Sequence, residues 1–141
     1  MKDYIRRVCY HETDKMGITH HSNYIKWMEE ARIDFLEQVG FGYDVLEERG
    51  IISPVIGVEC QYLRPTVFND TVKISVEILE FRGVRLTIGY KMSNAKTQEE
   101  VLTGKTMHCF LDKAGKPILL KKHFPDVDKM LKDLAVKEEK E

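Results

Sequence analysis

The residue types best suited to chemistry are concentrated in one stretch, residues 10–24. It holds three of the five histidines, two carboxylates and a leading tyrosine, and it runs directly into a pattern typical of a helix. A helix N-terminus presents unpaired N–H groups and a partial positive charge, which can stabilise the oxyanion that develops on an attacked carbonyl. A carboxylate held beside it can attack that carbonyl or activate a water molecule. The stretch therefore favours acyl transfer to water.

Four residues of this stretch each have a plainer interpretation. Asp14 suits catalysis, but it equally suits an Asx turn that stabilises the loop. His21 is either a side chain of the site or a capping and packing residue. Asn23 is either a helix cap or an amide that orients the loop, and Tyr10 is either a core aromatic of a strand or the wall of a pocket.

The element that must position these groups is a long, largely buried helix. Apolar residues recur from Tyr24 to Val39 at spacings of three and four, and Gly40 is suited to end the helix. Glu29 and Arg32 lie three residues apart, a spacing that suits an ordinary ion pair.

The rest of the chain alternates with a period of two, which indicates strands. Arg82-Gly83 suits a hairpin turn, and a change of phase near Leu79 predicts a bulge. The expected strands cover residues 4–10, 56–63, 71–78, 84–92, 100–111 and a short edge segment at 118–120. A last helix is expected over residues 124–136, followed by a frayed charged tail at 137–141. This order predicts an α+β fold with one antiparallel sheet and one dominant helix.

Length and composition narrow the function classes. The chain has 141 residues and a mass of 16.5 kDa, which predicts a single domain over residues 1–141. A net charge of −1 disfavours nucleic-acid binding, and no apolar run is long enough for a membrane span. Three distant cysteines and a charged N-terminus predict a cytoplasmic protein with reduced thiols. The histidine spacings do not favour a metal site.

The motif beginning at Val8 makes the family recognisable. The run from Val8 to Ile18, followed by His21-Ser22-Asn23-Tyr24 and Glu29-Glu30-Ala31-Arg32, resembles the 4-hydroxybenzoyl-CoA thioesterase family of the hotdog-fold superfamily. Tyr62-Leu63-Arg64-Pro65 and Asn69-Asp70 also look like that family. The resemblance implies a hotdog fold, in which a curved antiparallel sheet wraps the long helix.

The resemblance also implies roles for individual residues. Asp14 matches the catalytic carboxylate, as nucleophile or general base, and His21 matches the helix N-terminal position whose backbone N–H contacts the thioester carbonyl. Tyr10, Gly17, Asn23 and Tyr24 match positions at the substrate. Cys9 departs from a close branch that has a second aromatic there, which widens the acyl pocket or is neutral.

The substrate and assembly implied by the resemblance are an acyl-CoA, or an acyl group carried on a protein, and a homodimer or homotetramer with active sites between subunits. No cofactor is implied, since CoA is part of the substrate and product. Two rival functions remain: a hotdog protein that binds acyl thioesters without cleaving them, and a hotdog dehydratase acting on hydroxyacyl thioesters.

Overall fold

The computed structural model describes the backbone of residues 1–139 and the side chains of residues 1–135. Its strands are β1 (Tyr4–Arg7), β2 (Val55–Tyr62), β3 (Thr71–Phe81), β4 (Arg85–Asn94) and β5 (Glu100–Cys109). Its helices are α1 (Ser22–Gln38), α2 (Tyr43–Glu48), α3 (Leu120–His123) and α4 (Pro125–Glu139), with one 3₁₀ turn at Tyr10–Glu12.

The five strands form one antiparallel sheet in the order β1-β3-β4-β5-β2. The expected hairpin joins β3 to β4, where Arg82 N–H donates to the carbonyl of Arg85 and Gly83 adopts a φ of +71°. The expected bulge is also present, since the register shifts between Ile78 and Glu80. The sheet predicted from the period of two is therefore confirmed.

Helix α1 buries one side against the sheet and supplies the centre of the core. Trp27 and Met28 are fully buried, and Ala31 is 1% exposed. At β5 a side chain of α1 packs on the backbone, since a Cβ on Gly104 would lie 3.0 Å from Met28 Sδ. The α+β arrangement of one sheet and one dominant helix is thus as the sequence predicts.

Helix α4 completes the same layer. Val127 and Leu131 are buried, and they line a small cavity together with residues of α1, α2 and β4. The helices leave much of β2 at the edge of the sheet exposed, and the last residue of this strand, Tyr62, contacts α1 through Tyr24. Ile56 and Val58 on that strand are 49% and 40% exposed.

Several expected boundaries are wrong. The first strand ends at Arg7, because residues 10–12 form a 3₁₀ turn. The segment 118–120 is not a strand: Ile118 N–H makes one bond to Phe110, and the chain enters α3 at Leu120. Helix α4 continues to Glu139, so residues 137–139 of the expected tail are helical, and 140–141 lie outside the described residues.

The expected ion pair between Glu29 and Arg32 does not form. Glu29 is exposed, whereas Arg32 is 6% exposed and donates to two tyrosine hydroxyl groups. The two side chains are therefore on different sides of α1.

Candidate active site

The candidate site is built on a tight loop that joins the 3₁₀ turn to α1. Thr13 and Thr19 form an isolated antiparallel bridge, and inside it Asp14 N–H donates to the carbonyl of Ile18 at 2.9 Å. Gly17 N–H returns a bond to the carbonyl of Asp14 at 2.9 Å, with a φ of +80° that favours glycine. These bonds fix the backbone on both sides of Asp14.

Asp14 is half-buried, and one oxygen of its carboxylate is held by a hydrogen bond. Oδ1 accepts the backbone N–H of Met16 at 2.8 Å, which is an Asx turn. Oδ2 accepts no hydrogen bond from the groups that the structure describes. The turn interpretation and the catalytic one are thus compatible, since one oxygen orients the side chain and the other is left for chemistry.

The start of α1 leaves one backbone donor without a partner. The N–H groups of Ser22, Asn23 and Tyr24 all find acceptors in residues 20 and 21. The N–H of His21 has no acceptor among the described residues. A donor at this position is aligned with the helix dipole and can polarise a carbonyl oxygen.

The His21 side chain is exposed and lies among aromatic rings. Its ring stacks on that of His20 with centroids 4.3 Å apart, and it meets the edge of Tyr62 at 6.3 Å. Tyr62 is on β2 and also contacts Tyr24 at 5.6 Å. Sequence analysis assigned Tyr62 no role, because only the packing of β2 beside α1 brings it here.

Tyr10 is not a strand-core aromatic. It lies in the 3₁₀ turn, is 75% exposed and packs edge-on against Phe68 at 5.6 Å. Exposed Met16 lies two residues after Asp14. Apolar side chains are therefore open to solvent close to the loop, as the wall of an apolar pocket requires.

Asn23 and Tyr24 are buried and hydrogen-bonded at the base of the loop. The Asn23 amide donates to the carbonyls of Glu12 at 3.0 Å and His20 at 3.2 Å, so it orients the loop. Tyr24 is 4% exposed, and its hydroxyl bonds Thr66 Oγ1 at 3.0 Å. Both side chains support the loop, and their expected contact with substrate stays a prediction.

Glu12 is the residue of this region that sequence reasoning missed. It is 3% exposed, and its carboxylate accepts two hydrogen bonds from Arg6 at 2.9 and 2.7 Å, one from Trp27 Nε1 at 2.9 Å and one from Cys9 N–H at 2.8 Å. Its carbonyl accepts His20 N–H at 2.8 Å. Glu12 therefore joins β1, α1 and both ends of the Asp14 loop.

Electrostatics keep Glu12 ionised. Burial opposes its charge, but the hydrogen bonds from Cys9, Trp27 and Arg6 outweigh burial and hold the pKa of Glu12 below its ordinary value. The partners raise the pKa of Arg6 despite its own partial burial. Because all the hydrogen-bonding positions of the Glu12 carboxylate are occupied, the Glu12–Arg6 pair holds the loop in place and is not available for proton transfer.

The two remaining histidines of the stretch do not join a ligand cluster. His11 and His20 are exposed. Among the side chains that the structure describes, no three His, Cys, Asp or Glu groups converge where a metal ion would bind. No helix within the described range is long and apolar enough to cross a membrane.

Comparison with known protein families shows to which family this chain belongs. The model of the thioesterase-like superfamily matches residues 8–134, which include the loop, α1 and the strands β2 to β5. The chain belongs to this superfamily. The prediction of a thioesterase with a hotdog fold is thereby confirmed at the level of the superfamily.

Individual members of the superfamily agree with that placement. A structure described as a DHNA-CoA thioesterase from Staphylococcus aureus is 32% identical, with a TM-score of 0.91 over 99% of this chain and 95% of that chain. YneP of Bacillus subtilis, provisionally named an acyl-CoA thioesterase, is 33% identical over 84% of this chain and 86% of its own length. The BH1999 gentisyl-coenzyme A thioesterase structure is 27% identical, with a TM-score of 0.76 over 83% of this chain and 94% of that chain.

Proposed function

We propose that the protein hydrolyses an acyl-CoA to a carboxylic acid and free CoA, with Asp14 as the reacting carboxylate. The observation that carries this proposal is the pairing of two unengaged groups: Asp14 Oδ2 and the N–H of His21. The two groups belong to one short loop at a helix N-terminus, and a carboxylate together with a free donor there suits an acyl group under attack.

The chemistry balances without an external reagent other than water. In one route, Asp14 Oδ2 bonds to the thioester carbon, the C–S bond breaks and CoA leaves as a thiolate. Water then hydrolyses the resulting anhydride and restores Asp14. In the other route, Asp14 takes a proton from a water molecule that attacks the carbon, the C–S bond breaks, and the CoA thiolate leaves and takes up that proton. In both routes the His21 N–H stabilises the oxyanion.

The choice of an acyl-CoA rests on the superfamily members, whose names specify CoA thioesters in three separate cases. Free CoA is a product, and the proposed reaction uses no further cofactor. An acyl group carried on a protein is the alternative thioester, and the same site chemistry would serve it. We propose a cytoplasmic location on the ground of the proposed acyl-CoA substrate alone.

We also propose that the working enzyme is a homodimer or a dimer of dimers with its sites between subunits. Strand β2 has an unpaired edge, and its side chains are exposed: Val55, Ile56, Val58 and Tyr62 are 40% to 49% exposed. Natural proteins seldom leave a long apolar edge strand open. A second copy covering β2 would enclose the region around Tyr62 and His21 and give the acyl group its apolar wall.

The test is thiol release from a panel of acyl-CoAs, aliphatic from two to sixteen carbons together with aromatic ones. A thiol reagent reports free CoA, and mass spectrometry identifies the acyl product. We expect free CoA and the carboxylic acid from at least one member of the panel. Bound but intact thioester would instead favour the binding protein, and an enoyl thioester with its thiol retained would favour the dehydratase. Cleavage of an acyl carrier protein thioester, but of no acyl-CoA, would contradict CoA as the group that carries the acyl chain. It would leave the proposed role of Asp14 unaffected.

A further inference from the structure

Thr66 is a fully buried polar residue that lies between β2 and β3, far along the chain from the Asp14 loop (residues 13–19). Its exposed fraction is 0%, and its hydroxyl oxygen lies 2.6 Å from that of Thr19 and 3.0 Å from that of Tyr24. Its carbonyl accepts the Thr19 N–H at 2.8 Å and lies 3.2 Å from the Thr19 hydroxyl. Thr66 therefore bonds both the end of the loop and the first turn of α1.

The three hydroxyl groups can use all of their protons in one order of donation. Each hydroxyl carries a single proton. All three protons are used only if Tyr24 donates to Thr66, Thr66 donates to Thr19, and the Thr19 hydroxyl donates to the Thr66 carbonyl. A buried donor without a partner costs free energy, which favours this order. The Thr66 hydroxyl thus accepts one bond and donates another, and it links α1 to the loop.

The segment that carries Thr66 is itself fixed to the sheet. Val67 N–H donates to Asp70 Oδ2 at 2.9 Å, and Asp70 N–H donates to the carbonyl of Val67 at 3.0 Å. Val8, directly after β1, donates its N–H to the Asp70 carbonyl at 2.9 Å, and β3 begins at Thr71. The edge of the sheet therefore holds Thr66 independently of the loop that it contacts.

We propose that Thr66 is a positioning residue for thioester hydrolysis, which holds the Asp14 loop against the start of α1 through its hydroxyl. This inference rests on the proposed function. Thr19 lies two residues before His21, whose N–H is the proposed donor to the oxyanion. Thr19 is also bridged to Thr13, the neighbour of Asp14. Fixing Thr19 therefore fixes the backbone beside both reacting groups, and a displacement of about 1 Å in such groups can slow a reaction about a hundredfold.

The test compares Thr66→Val with Thr106→Val, since each change removes one buried hydroxyl and keeps the shape of the side chain. Thr106 is 2% exposed, and its hydroxyl bonds the Tyr90 hydroxyl at 2.8 Å and His108 Nε2 at 2.7 Å, which join β4 and β5 rather than the loop. Burial, followed by the charge of Arg32, lowers the pKa of His108 to about 4, so this control network keeps one charge state at neutral pH. Both variants should lower Tm by about 5 °C, because each takes a partner from a buried tyrosine hydroxyl.

The two variants should differ in catalysis. At a temperature where both are folded, we expect Thr66→Val to lower kcat at least about tenfold with KM within about threefold, and Thr106→Val to keep kcat within about twofold. Thr66→Ser, which restores the hydroxyl, should recover kcat to within about threefold of the unmodified chain. A normal kcat in Thr66→Val, or an equal loss of kcat in Thr106→Val, would overturn the proposal.

Hydrogen exchange of backbone amides gives a readout that does not depend on catalysis. The N–H groups of Asp14, Thr19 and His20 are hydrogen-bonded in the loop or next to it. We expect their exchange to be at least about tenfold faster in Thr66→Val, and unchanged in Thr106→Val, because only the first variant releases the loop. Unchanged exchange in Thr66→Val would also overturn the proposal.

Failure of the proposed function is observed separately. In that case the unmodified chain cleaves no thioester, and the exchange rates still decide whether Thr66 holds the loop. If Thr66→Val does not fold, Thr19→Val removes the other hydroxyl of the pair and is measured in the same two ways. Normal kcat and normal exchange in a folded Thr19→Val protein would then overturn the proposal.

Discussion

At the scale of single residues, two carboxylates two positions apart have opposite environments. Glu12 is 3% exposed and accepts four hydrogen bonds through its carboxylate. Asp14 is half-buried and accepts one. A carboxylate saturated with donors is stabilised as an anion and has no free lone pair directed at substrate, whereas one with a free oxygen is available to attack. The environment, not the residue type, gives Glu12 a structural role and leaves Asp14 free for the proposed chemistry.

Replacing Glu12 should therefore cost stability. We expect Glu12→Gln to lower the free energy of unfolding by about 3 kcal/mol, because Arg6 is left without its buried partner. Urea denaturation measures this change. The matched control is Glu30→Gln, which removes the other partner of Arg6. The Glu30 carboxylate is 36% exposed, so its loss should cost less than about 1 kcal/mol. Equal losses in the free energy of unfolding for the two variants would contradict the conclusion that the buried Glu12–Arg6 pair stabilises this region.

His108 should make stability depend on pH. Its pKa is about 4 when folded and about 6.5 when unfolded, so the unfolded chain binds more protons between these values and stability rises with pH across that window. The linkage predicts a loss of roughly 2 kcal/mol on going from pH 7.5 to pH 5. His108→Asn, which does not titrate, should show a smaller loss by about that amount in urea melts at the two pH values. An identical pH dependence in both proteins would show that His108 is not buried as a neutral group.

Sequence reasoning could locate the loop whose hydrogen bonds join residues close together in the sequence. Asp14, Gly17 and His21 belong to one motif, and the loop that contains them folds on bonds between near neighbours. The roles of Glu12, Arg32 and Tyr62 depend on contacts with other elements, namely with Trp27 on α1, Tyr90 on β4 and Tyr24 on α1. A pattern of residue types does not encode such contacts, so burial of these groups could not be read from it.

At the scale of elements, periodicity predicted the long helix and the sheet because both have one buried face. It was wrong at residues 8–10 and 118–120, where Val8, Ile118 and Leu120 are buried although the chain there forms turns and helix starts. Val8 is 1% exposed, yet its N–H pairs with Asp70 and the chain then coils into the 3₁₀ turn. An apolar residue indicates that its side chain is buried. Whether that residue belongs to a strand, a helix or a turn depends on its backbone hydrogen bonds.

The spacing between α1 and the sheet depends on Gly104. An added Cβ would lie 3.0 Å from Met28 Sδ and 3.1 Å from the carbonyl oxygen of Glu59, and the latter is backbone that cannot yield. We expect Gly104→Ala to lower the free energy of unfolding by about 2 kcal/mol. Chemical denaturation measures this loss.

The control for this change is Gly57→Ala on β2. There the Cβ would lie 2.6 Å from Met107 Cε, the flexible end of a side chain that can turn away. Its cost should be below about 1 kcal/mol. If Gly57→Ala costs as much as Gly104→Ala, the close approach of α1 does not set the spacing.

At the scale of the whole molecule, the open edge of the sheet bears on activity. The face of β2 that carries Ile56, Val58 and Tyr62 also borders the helix start where His21 lies. A second copy on β2 would thus complete the apolar surroundings of the reacting groups. Assembly and catalysis are coupled in this account.

A charge on that face should separate the subunits. We expect the unmodified chain to sediment as a dimer or tetramer, and Val58→Lys to sediment as a monomer with thioester hydrolysis at least about tenfold slower, because an unpaired buried charge opposes association. Gln61→Lys places the same charge on the opposite face of the strand and should leave assembly intact. A Val58→Lys monomer with full activity would show that one chain suffices.

The most direct measurement of the central claim is kcat for acyl-CoA hydrolysis by Asp14→Asn beside Asp112→Asn. Both aspartates hold an Asx turn through Oδ1, and asparagine preserves that bond in each. Only Asp14 faces the proposed reaction, so Asp14→Asn should lower kcat at least about a hundredfold while Asp112→Asn stays within about twofold of the unmodified enzyme. An Asp14→Asn protein that melts at the normal temperature and retains its kcat would remove Asp14 from the mechanism.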